Sequence, residues 1–425
     1  MIAFLDRMRQ RLAHFGNLWH LKRAITFLLV DVILLAFVPR RKADVVMLIR
    51  VDLLGDYVIG RNFLRQVRRC ERYRGKKLVL CASLALRELI ELYDSDTFDG
   101  YVWIDRPALL NRFWPRFRML REVKRTGAQV VIHPMRDPYL GDCLVRASCA
   151  AERIGIESRE NPNRTPNELR RQHTTLGDLF YTQLVPETHE VTFEFYRNRA
   201  FFEAVLPGVV MPGNTRMKAV AVSVPEIGGP FAVLMPGASD AFREWPPERL
   251  AQVARHLFET RGLQAVMIGT AGDRPKAEAL RRAAPGVPAH NLCGELGLPQ
   301  VVYLLSQAAI GITNDSGGIH VLAALGRPGV AVSNTFSFGW FHPYPRELSR
   351  TVSHVYPPAV YATPMTWDEA RNFYGRRRDL FAITDVSVDA VIARADALLD
   401  GRLTTTRWRR SALPRRKPRR SSAGS

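Results

Sequence analysis

One pattern constrains this chain more than any other. Short apolar runs rich in β-branched residues alternate with longer helical stretches, and the alternation occurs twice. Val45–Ile49 (VVMLI), Lys77–Cys81 (KLVLC), Tyr101–Ile104 and Ala128–His133 (AQVVIH) read as strands. Helices are expected from after Asp56 to about Arg69, and over about Leu109–Arg125. The pattern restarts with Phe231–Met235 (FAVLM), Leu263–Ile268 (LQAVMI), Ala309–Thr313 (AIGIT) and Gly329–Ser333 (GVAVS). Helices are expected here at Pro246–Arg261, Arg274–Ala284, Pro299–Gln307, Gly318–Leu325 and about Val388–Leu399. A strand that is apolar along its whole length has both faces covered, as in a parallel sheet between helix layers. Pro207 to Pro230 is rich in Pro and Gly and reads as a linker. The expected architecture is therefore α/β. Two doubly wound domains, 44–210 and 231–400, are joined by 211–230 and face a cleft, with ligands at the carboxyl ends of strands.

Composition narrows the class. The chain has 425 residues, 47% of them hydrophobic and 24% charged. That excludes a chain disordered throughout, a collagen-like repeat and a multi-span membrane protein. Cys70, Cys81, Cys143, Cys149 and Cys293 are too scattered for a disulfide framework or a CxxC metal site. They read as small buried hydrophobes in a reducing, cytoplasmic compartment. The net charge is +20, and most of it lies at the ends. Residues 1–42 hold eight Lys/Arg against two Asp, and residues 402–425 hold nine Lys/Arg and no acid. Such ends suit an anionic surface. The tail from Thr404 is rich in Arg, Pro and Ser and reads as disordered. Nucleic acid is not the expected partner, because the body shows no basic stripe with interleaved aromatics.

Near the N-terminus, Ala24 to Val38 reads AITFLLVDVILLAFV between Lys22-Arg23 and Arg40-Arg41-Lys42. Fifteen helical residues reach ~22 Å, short of a ~30 Å hydrocarbon core. Asp31 in its middle is costly at bilayer depth. Basic residues follow the apolar run where a signal peptide has small ones. The preferred reading is a helix in the headgroup region beside anionic lipid. The competing reading is a helix packed on the first domain.

Three constellations carry chemistry. In Arg50-Val51-Asp52-Leu53-Leu54-Gly55-Asp56, a buried strand passes into a helix. Gly55 permits a tight turn, and Asp56 serves either as a helix N-cap or as a carboxylate facing the cleft. Met235-Pro236-Gly237-Ala238-Ser239 is followed by Arg243-Glu244-Trp245-Pro246. A Gly/Ser turn offers backbone N–H groups to phosphate oxygens, and Arg243 offers a bidentate fork. Thr313-Asn314-Asp315-Ser316-Gly317-Gly318-Ile319-His320 leads into an Ala-rich helix whose N-terminus suits an anion. Asp315 holds either the turn or a sugar hydroxyl, and His320 is structural or catalytic. GxxxxGK[ST], GxGxxG, HExxH and an EF-hand loop are all missing, so the sequence indicates no metal site.

Taken together, these residues resemble glycosyltransferase family 9, the lipopolysaccharide heptosyltransferases. Gly55-Asp56 resembles the family's turn after the first strand. Met235–Pro246 resembles its PGAS…K-W-P element, with Arg243 where Lys is usual. DSGGIH with the following AALGRP resembles its most specific stretch, and Asn291–Gly294 with Leu298 resembles a segment near the donor base. Arg61-Asn62-Phe63 and Ser333-Asn334-Thr335 depart from the family pattern. The resemblance covers roughly residues 44–400.

It implies a GT-B fold of two Rossmann-like domains and an inverting, metal-independent transfer. The sugar is heptose or a relative, the donor a nucleotide-sugar such as ADP-heptose, and the acceptor a lipopolysaccharide core or other lipid-linked glycan. Asp56 falls on the family's base. Gly237, Ser239, Arg243, Asp273, Asp315, Ser316, Gly317, Gly318 and His320 are the implied donor residues. Arg50, Gly55 and Arg61 are the acceptor-side candidates. The nucleotide-sugar is a substrate, and no cofactor is implied. The expected place is the inner face of the bacterial cytoplasmic membrane, peripherally bound. The competing readings are a non-catalytic nucleotide-sugar binder and another GT-B enzyme such as an epimerase.

Overall fold

A computed structural model of the chain describes residues 27–28, 31–32, 36–39, 42–135, 140–157, 178–187, 191–362, 365–374 and 381–402. The expectations for the tail from Thr404 and for most of residues 1–41 lie outside them. The described chain forms two units. The first holds residues up to 187, Glu194–Glu226 and Glu295–Gln307, and the second holds residues 191–193, Ile227–Gly294 and 308–402.

The first unit is a six-stranded parallel sheet in the order β3-β2-β1-β4-β5-β6. Its strands are β1 (Val45–Arg50), β2 (Lys77–Ser83), β3 (Gly100–Ile104), β4 (Val130–His133), β5 (Glu152–Ile156) and β6 (Gln183–Val185). The helices are α1 (Leu54–Leu64), α2 (Arg87–Asp94), α3 (Arg106–Asn111), α4 (Phe113–Arg125), α5 (Gly141–Ser148) and α6 (Glu194–Val205). β1 is buried at all six positions, as its unbroken apolar run requires. The single helix expected over Leu109–Arg125 is two. Asp105 caps α3 by accepting from Ala108 N at 3.0 Å, and the backbone is extended at Arg112 before α4 begins. The helix after β1 starts earlier than expected, at Leu54. Asp56 therefore sits in its first turn, where a carboxylate meets the positive end of the helix.

The second unit repeats the topology in the order β12-β11-β10-β7-β8-β9. Its strands are β7 (Phe231–Met235), β8 (Gln264–Met267), β9 (Ala289–Asn291), β10 (Ile310–Asn314), β11 (Gly329–Val332) and β12 (Val352–Val355). α7 (Pro247–Arg261) and α8 (Arg274–Ala283) cover it. α9 (Leu298–Gln307) lies between them and β10 in the chain but belongs to the first unit. α10 (Gly317–Leu325), α11 (Ala359–Ala362), α12 (Trp367–Tyr374) and α13 (Val388–Leu399) complete the set. Both sheets share one strand order, the Rossmann order, which reverses between the first and fourth strands and opens a crevice there. The Rossmann-like α/β architecture expected from the sequence is present in both units.

The domain boundary differs from 231–400. Gln300 donates from Nε2 to Ser223 O at 2.8 Å. Gly297 approaches Glu88 so closely that a Cβ would stand 2.4 Å from its carboxylate. The chain thus leaves the second unit at Glu295 and re-enters it after Gln307.

The N-terminal segment is helical at 27–28, 31–32 and 36. Asp31 is buried and ion-paired, with Arg116 Nε at 2.9 Å and Arg146 Nη2 at 2.7 Å. The Arg116 guanidinium also lies 4.8 Å from the Phe27 ring. The packed-helix reading therefore holds for Asp31, which pairs with α4 and α5 instead of lying at bilayer depth. Leu28, Val32 and Phe37 are exposed. Among the described residues no helix is long and apolar enough to cross a membrane.

Candidate active site

In the second unit the topological reversal lies between β7 and β10, so the loops after these strands are neighbours. Asn314, fully buried, fastens them together. Its Nδ2 donates to Pro236 O at 2.8 Å, and its Oδ1 accepts from Trp245 N at 3.0 Å. The Gly237–Ser239 loop and the Asp315–Gly318 turn are thereby fixed side by side. Arg243 bridges them. Its Nη1 donates to Ser239 Oγ at 3.1 Å, and its Nη2 lies 3.1 Å from Asp315 Oδ2 and also donates to Asp315 O. The Phe336 ring lies 5.3 Å from the guanidinium carbon. Arg243 Nε is buried and has no partner among the described residues. A buried N–H without an acceptor is costly, and a phosphate oxygen would satisfy it.

Asp315 is buried. Burial alone would raise its pKa, but His342 and Arg243 outweigh that and hold the carboxyl well below the usual carboxylate range. The group is ionised at any physiological pH. Ser316 precedes α10, and its hydroxyl caps nothing in the helix. Ser316 and Gly317 are half-exposed, so the first turn of α10 presents its N–H groups to solvent. A Cβ on Gly318 would stand 2.2 Å from Met235 Sδ, so the missing side chain lets α10 start directly against β7. His320 is buried, with Nδ1 2.8 Å from Tyr344 OH, and burial pushes its pKa down to about 4. Its imidazole is neutral at pH 7.

Asp273 stands differently from the expectation that it faces the donor. One carboxylate oxygen accepts from Thr270 N at 2.9 Å and Thr270 Oγ1 at 2.7 Å, and the other pairs with Lys276 Nζ at 2.9 Å. It backs Gly237, where a Cβ would stand 2.2 Å from its Oδ1. Asp273 supports the loop, and Lys276, which also pairs with Glu244, is the cation on that side.

In the first unit the corresponding reversal lies between β1 and β4. Arg50, fully buried, anchors the β1 turn. It donates from Nη1 to Asn198 Oδ1 at 2.8 Å and from Nη2 to Asp56 O at 2.8 Å, and it pairs with Asp52 Oδ2 at 2.7 Å. Arg50 thus positions the backbone of Asp56 and has no hand free for an acceptor's glycan except the buried Nε. Gly60 makes room for it, since a Cβ there would lie 2.6 Å from the guanidinium. Burial raises the Asp52 pKa, against the opposing pull of Arg50. Gly55 and Asp56 are half-buried at the start of α1. Arg61 points into the unit. Its guanidinium pairs with Asp94 Oδ1 at 2.8 Å and donates to Tyr93 O at 3.0 Å. That placement is a buried structural ion pair and not an acceptor-facing cation. At the end of β4, His133 Nδ1 lies 2.6 Å from Tyr181 OH, which donates to Asp142 Oδ1 at 2.6 Å.

The family model of glycosyltransferase family 9 (heptosyltransferase) matches residues 117–358. The chain belongs to glycosyltransferase family 9. The match contains every donor-side candidate and begins after Arg50, Gly55, Asp56 and Arg61. A lipooligosaccharide heptosyltransferase 2 of Haemophilus influenzae is 34% identical over 107 residues, which are 24% of this chain and 31% of the relative. The alignment thus spans under a third of that relative's length. A family 9 glycosyl transferase of Veillonella parvula superposes with a TM-score of 0.62 at 17% identity, over 85% of this chain and 99% of the other. An E. coli heptosyltransferase solved with ADP-2-deoxy-2-fluoro heptose gives 0.58 at 15%, over 83% and 99%.

Several residues of this family 9 chain join the site without being singled out by the sequence. Lys276 and His342 have no motif around them, while Asp52 and Asn314 lie inside quoted constellations but are ordinary residue types with nothing to single them out there.

Proposed function

We propose that the chain is an inverting, metal-independent glycosyltransferase. It moves heptose, or a related sugar, from ADP-heptose to a lipopolysaccharide core or other lipid-linked glycan at the inner face of the cytoplasmic membrane. The observation that carries the reading is Arg243, a guanidinium with a buried unsatisfied N–H, held beside the N-terminus of α10 where the sheet order reverses. That arrangement suits a diphosphate. The similar E. coli enzyme solved with an ADP-heptose analogue supports the choice of nucleotide.

In this reading the acceptor hydroxyl oxygen attacks the anomeric carbon from the face opposite the diphosphate. The bond from that carbon to the diphosphate oxygen breaks, and the nucleoside diphosphate departs with the electron pair. Asp56 takes the hydroxyl proton, a step worth ~10²–10⁴-fold in rate. Arg243, the Gly237–Ser239 loop and the first turn of α10 meet the charge that develops on the leaving group. Asp315 faces Arg243 and tunes its position.

The membrane part of the proposal rests on the N-terminal segment. Asp31 fixes its polar side on α4 and α5, while Leu28 and Val32, one turn apart, and Phe37 are exposed. Basic residues flank the run on both sides. An apolar strip with cationic flanks suits the headgroup region of anionic lipid.

Asp56→Asn tests the chemistry. Transfer is expected to fall below a few per cent, with donor affinity near that of the parent. Transfer that survives above that level removes Asp56 as the base.

A further inference from the structure

Three consecutive strands of the second unit bring together residues that the chain keeps far apart. Asp315 follows β10, Ser333 follows β11, and Tyr356 follows β12. His342, from the loop between β11 and β12, fills the space among them and is fully buried. Its Nε2 lies 3.2 Å from Asp315 Oδ2 and 3.2 Å from Ser333 Oγ, and its Nδ1 lies 2.8 Å from Tyr356 OH. Phe338 meets the ring edge-on at 5.7 Å, and His354 stacks on it at 5.0 Å. The ring is therefore held on its edges and on one face, and its two nitrogens have fixed partners. With Nδ1 beside Tyr356 OH, Nε2 is the nitrogen that faces the carboxylate and Ser333.

The same oxygen of Asp315 faces Arg243. A continuous chain thus runs Tyr356–His342–Asp315–Arg243–Ser239, from the aromatic core of Phe338, Tyr356, Val360, Ala370 and Tyr374 out to the exposed loop after β7. Without a second donor, the Asp315 carboxylate could rotate toward or away from Arg243. His342 Nε2, 3.2 Å from the same oxygen, restricts that rotation.

We propose that His342 is a positioning residue. By fixing the Asp315 carboxylate, it holds Arg243 across the Gly237–Ser239 loop, with Nε turned to the diphosphate of the donor. This rests on the donor-site reading above. It differs from that reading in assigning a role to a residue that the donor does not touch.

The test uses the full chain, with ADP as probe, and four variants: His342→Phe, His342→Gln, Arg243→Ala and the double variant His342→Phe/Arg243→Ala. Gln keeps an N–H donor for Asp315, and Phe keeps the ring and loses both nitrogens. Titration calorimetry is expected to show ADP affinity at least tenfold weaker in His342→Phe and within threefold of the parent in His342→Gln. In the Arg243→Ala background, His342→Phe is expected to add less than a further threefold loss, because the two act through one path. Equal losses from His342→Phe with and without Arg243 overturn the proposal, and so does a folded His342→Phe with parental affinity. If the parent itself does not bind ADP, the donor-site reading has failed, and the path is then read without ligand. Modification of Arg243 by phenylglyoxal, followed by peptide mass spectrometry, is expected to be several-fold faster in His342→Phe and unchanged in His342→Gln. An unchanged rate in both overturns the proposal. Should His342→Phe fail to fold, Tyr356→Phe, which removes only the hydroxyl at Nδ1, takes its place in the same series.

Discussion

At the scale of single residues, the second unit spends buried charge on one point. Arg243 and His342 converge on one oxygen of Asp315, and Arg243 keeps a buried N–H unspent. A hydrogen bond to a charged group is worth about 1.5–3 kcal/mol. Arg243→Ala is therefore expected to raise the donor KM on the order of 10–100-fold, and Arg243→Lys, which keeps the charge but loses the fork, to fall between. Steady-state kinetics with ADP-heptose check both, and an unchanged KM in Arg243→Ala places the diphosphate elsewhere. Buried histidines make the protein sensitive to acid. Burial lowers the pKa of His320 from 6.5 to about 4, and that of His354 well below its ordinary value. The unfolded chain binds these protons first, so stability is full above about pH 6.5 and falls as pH drops toward 4. Asp315, held low in the folded state, adds a loss in the same direction below its ordinary pKa of 3.8. For His320 the linkage is on the order of 3 kcal/mol. Thermal unfolding from pH 8 to 4 is expected to show the fall, and His320→Gln to flatten it. A flat profile in the parent contradicts the buried, neutral assignment.

At the scale of elements, what could be read from sequence follows burial. β1, β4, β7, β10 and β11 are buried along their whole or nearly whole length, and their apolar runs announce them. β5, β6, β9 and β12 escaped. They are short and carry Glu, Arg, Gln, Asn or His; β6 and β9 lie at sheet edges and are only partly buried, whereas β12 is buried at all four positions but its apolar run is broken by Ser353 and His354. Motif residues that follow central strands were legible for the same reason, since Gly-rich turns after buried runs stand out. The position of Arg61 after Asp56 says nothing about Asp94, which lies 33 residues away and turns it inward. In the N-terminal segment the apolar run does not reveal what Asp31 does, which is to dock on Arg116 and Arg146. Asp31→Ala leaves Arg116 buried without its carboxylate, a loss of about 3–5 kcal/mol for a broken buried pair. Denaturant unfolding is expected to show a loss of that order, and a change below about 1 kcal/mol would mean that the helix is not anchored there. Val32→Glu leaves Asp31 in place and charges the exposed strip. Flotation with vesicles containing a third phosphatidylglycerol is expected to lose most of the bound protein. Undiminished binding assigns the membrane contact to another part of the chain.

At the scale of the molecule, two sheets with one strand order divide the chemistry that the family implies. The second unit gathers cations and free N–H groups around the β7–β10 reversal, and the first sets a carboxylate at the head of α1. The crossing of α9 into the first unit was invisible in the sequence. Helix Leu298–Gln307 has the same apolar periodicity whichever unit it packs on, and contacts such as Gln300 with Ser223, and Gly297 beside Glu88, reveal the choice. The central claim is that the second unit binds a nucleoside diphosphate sugar through Arg243 and the N-terminus of α10. Its most direct test is thermal unfolding of the parent and of Arg243→Ala against ADP, UDP, GDP and CMP and their sugar conjugates. A ligand at ~100 times its Kd stabilises by about 2.7 kcal/mol. ADP and ADP-heptose are expected to raise the Tm of the parent, the other nucleotides to leave it unchanged, and Arg243→Ala to lose the ADP shift. No shift with any nucleotide, or an ADP shift that Arg243→Ala retains in full, would contradict the account.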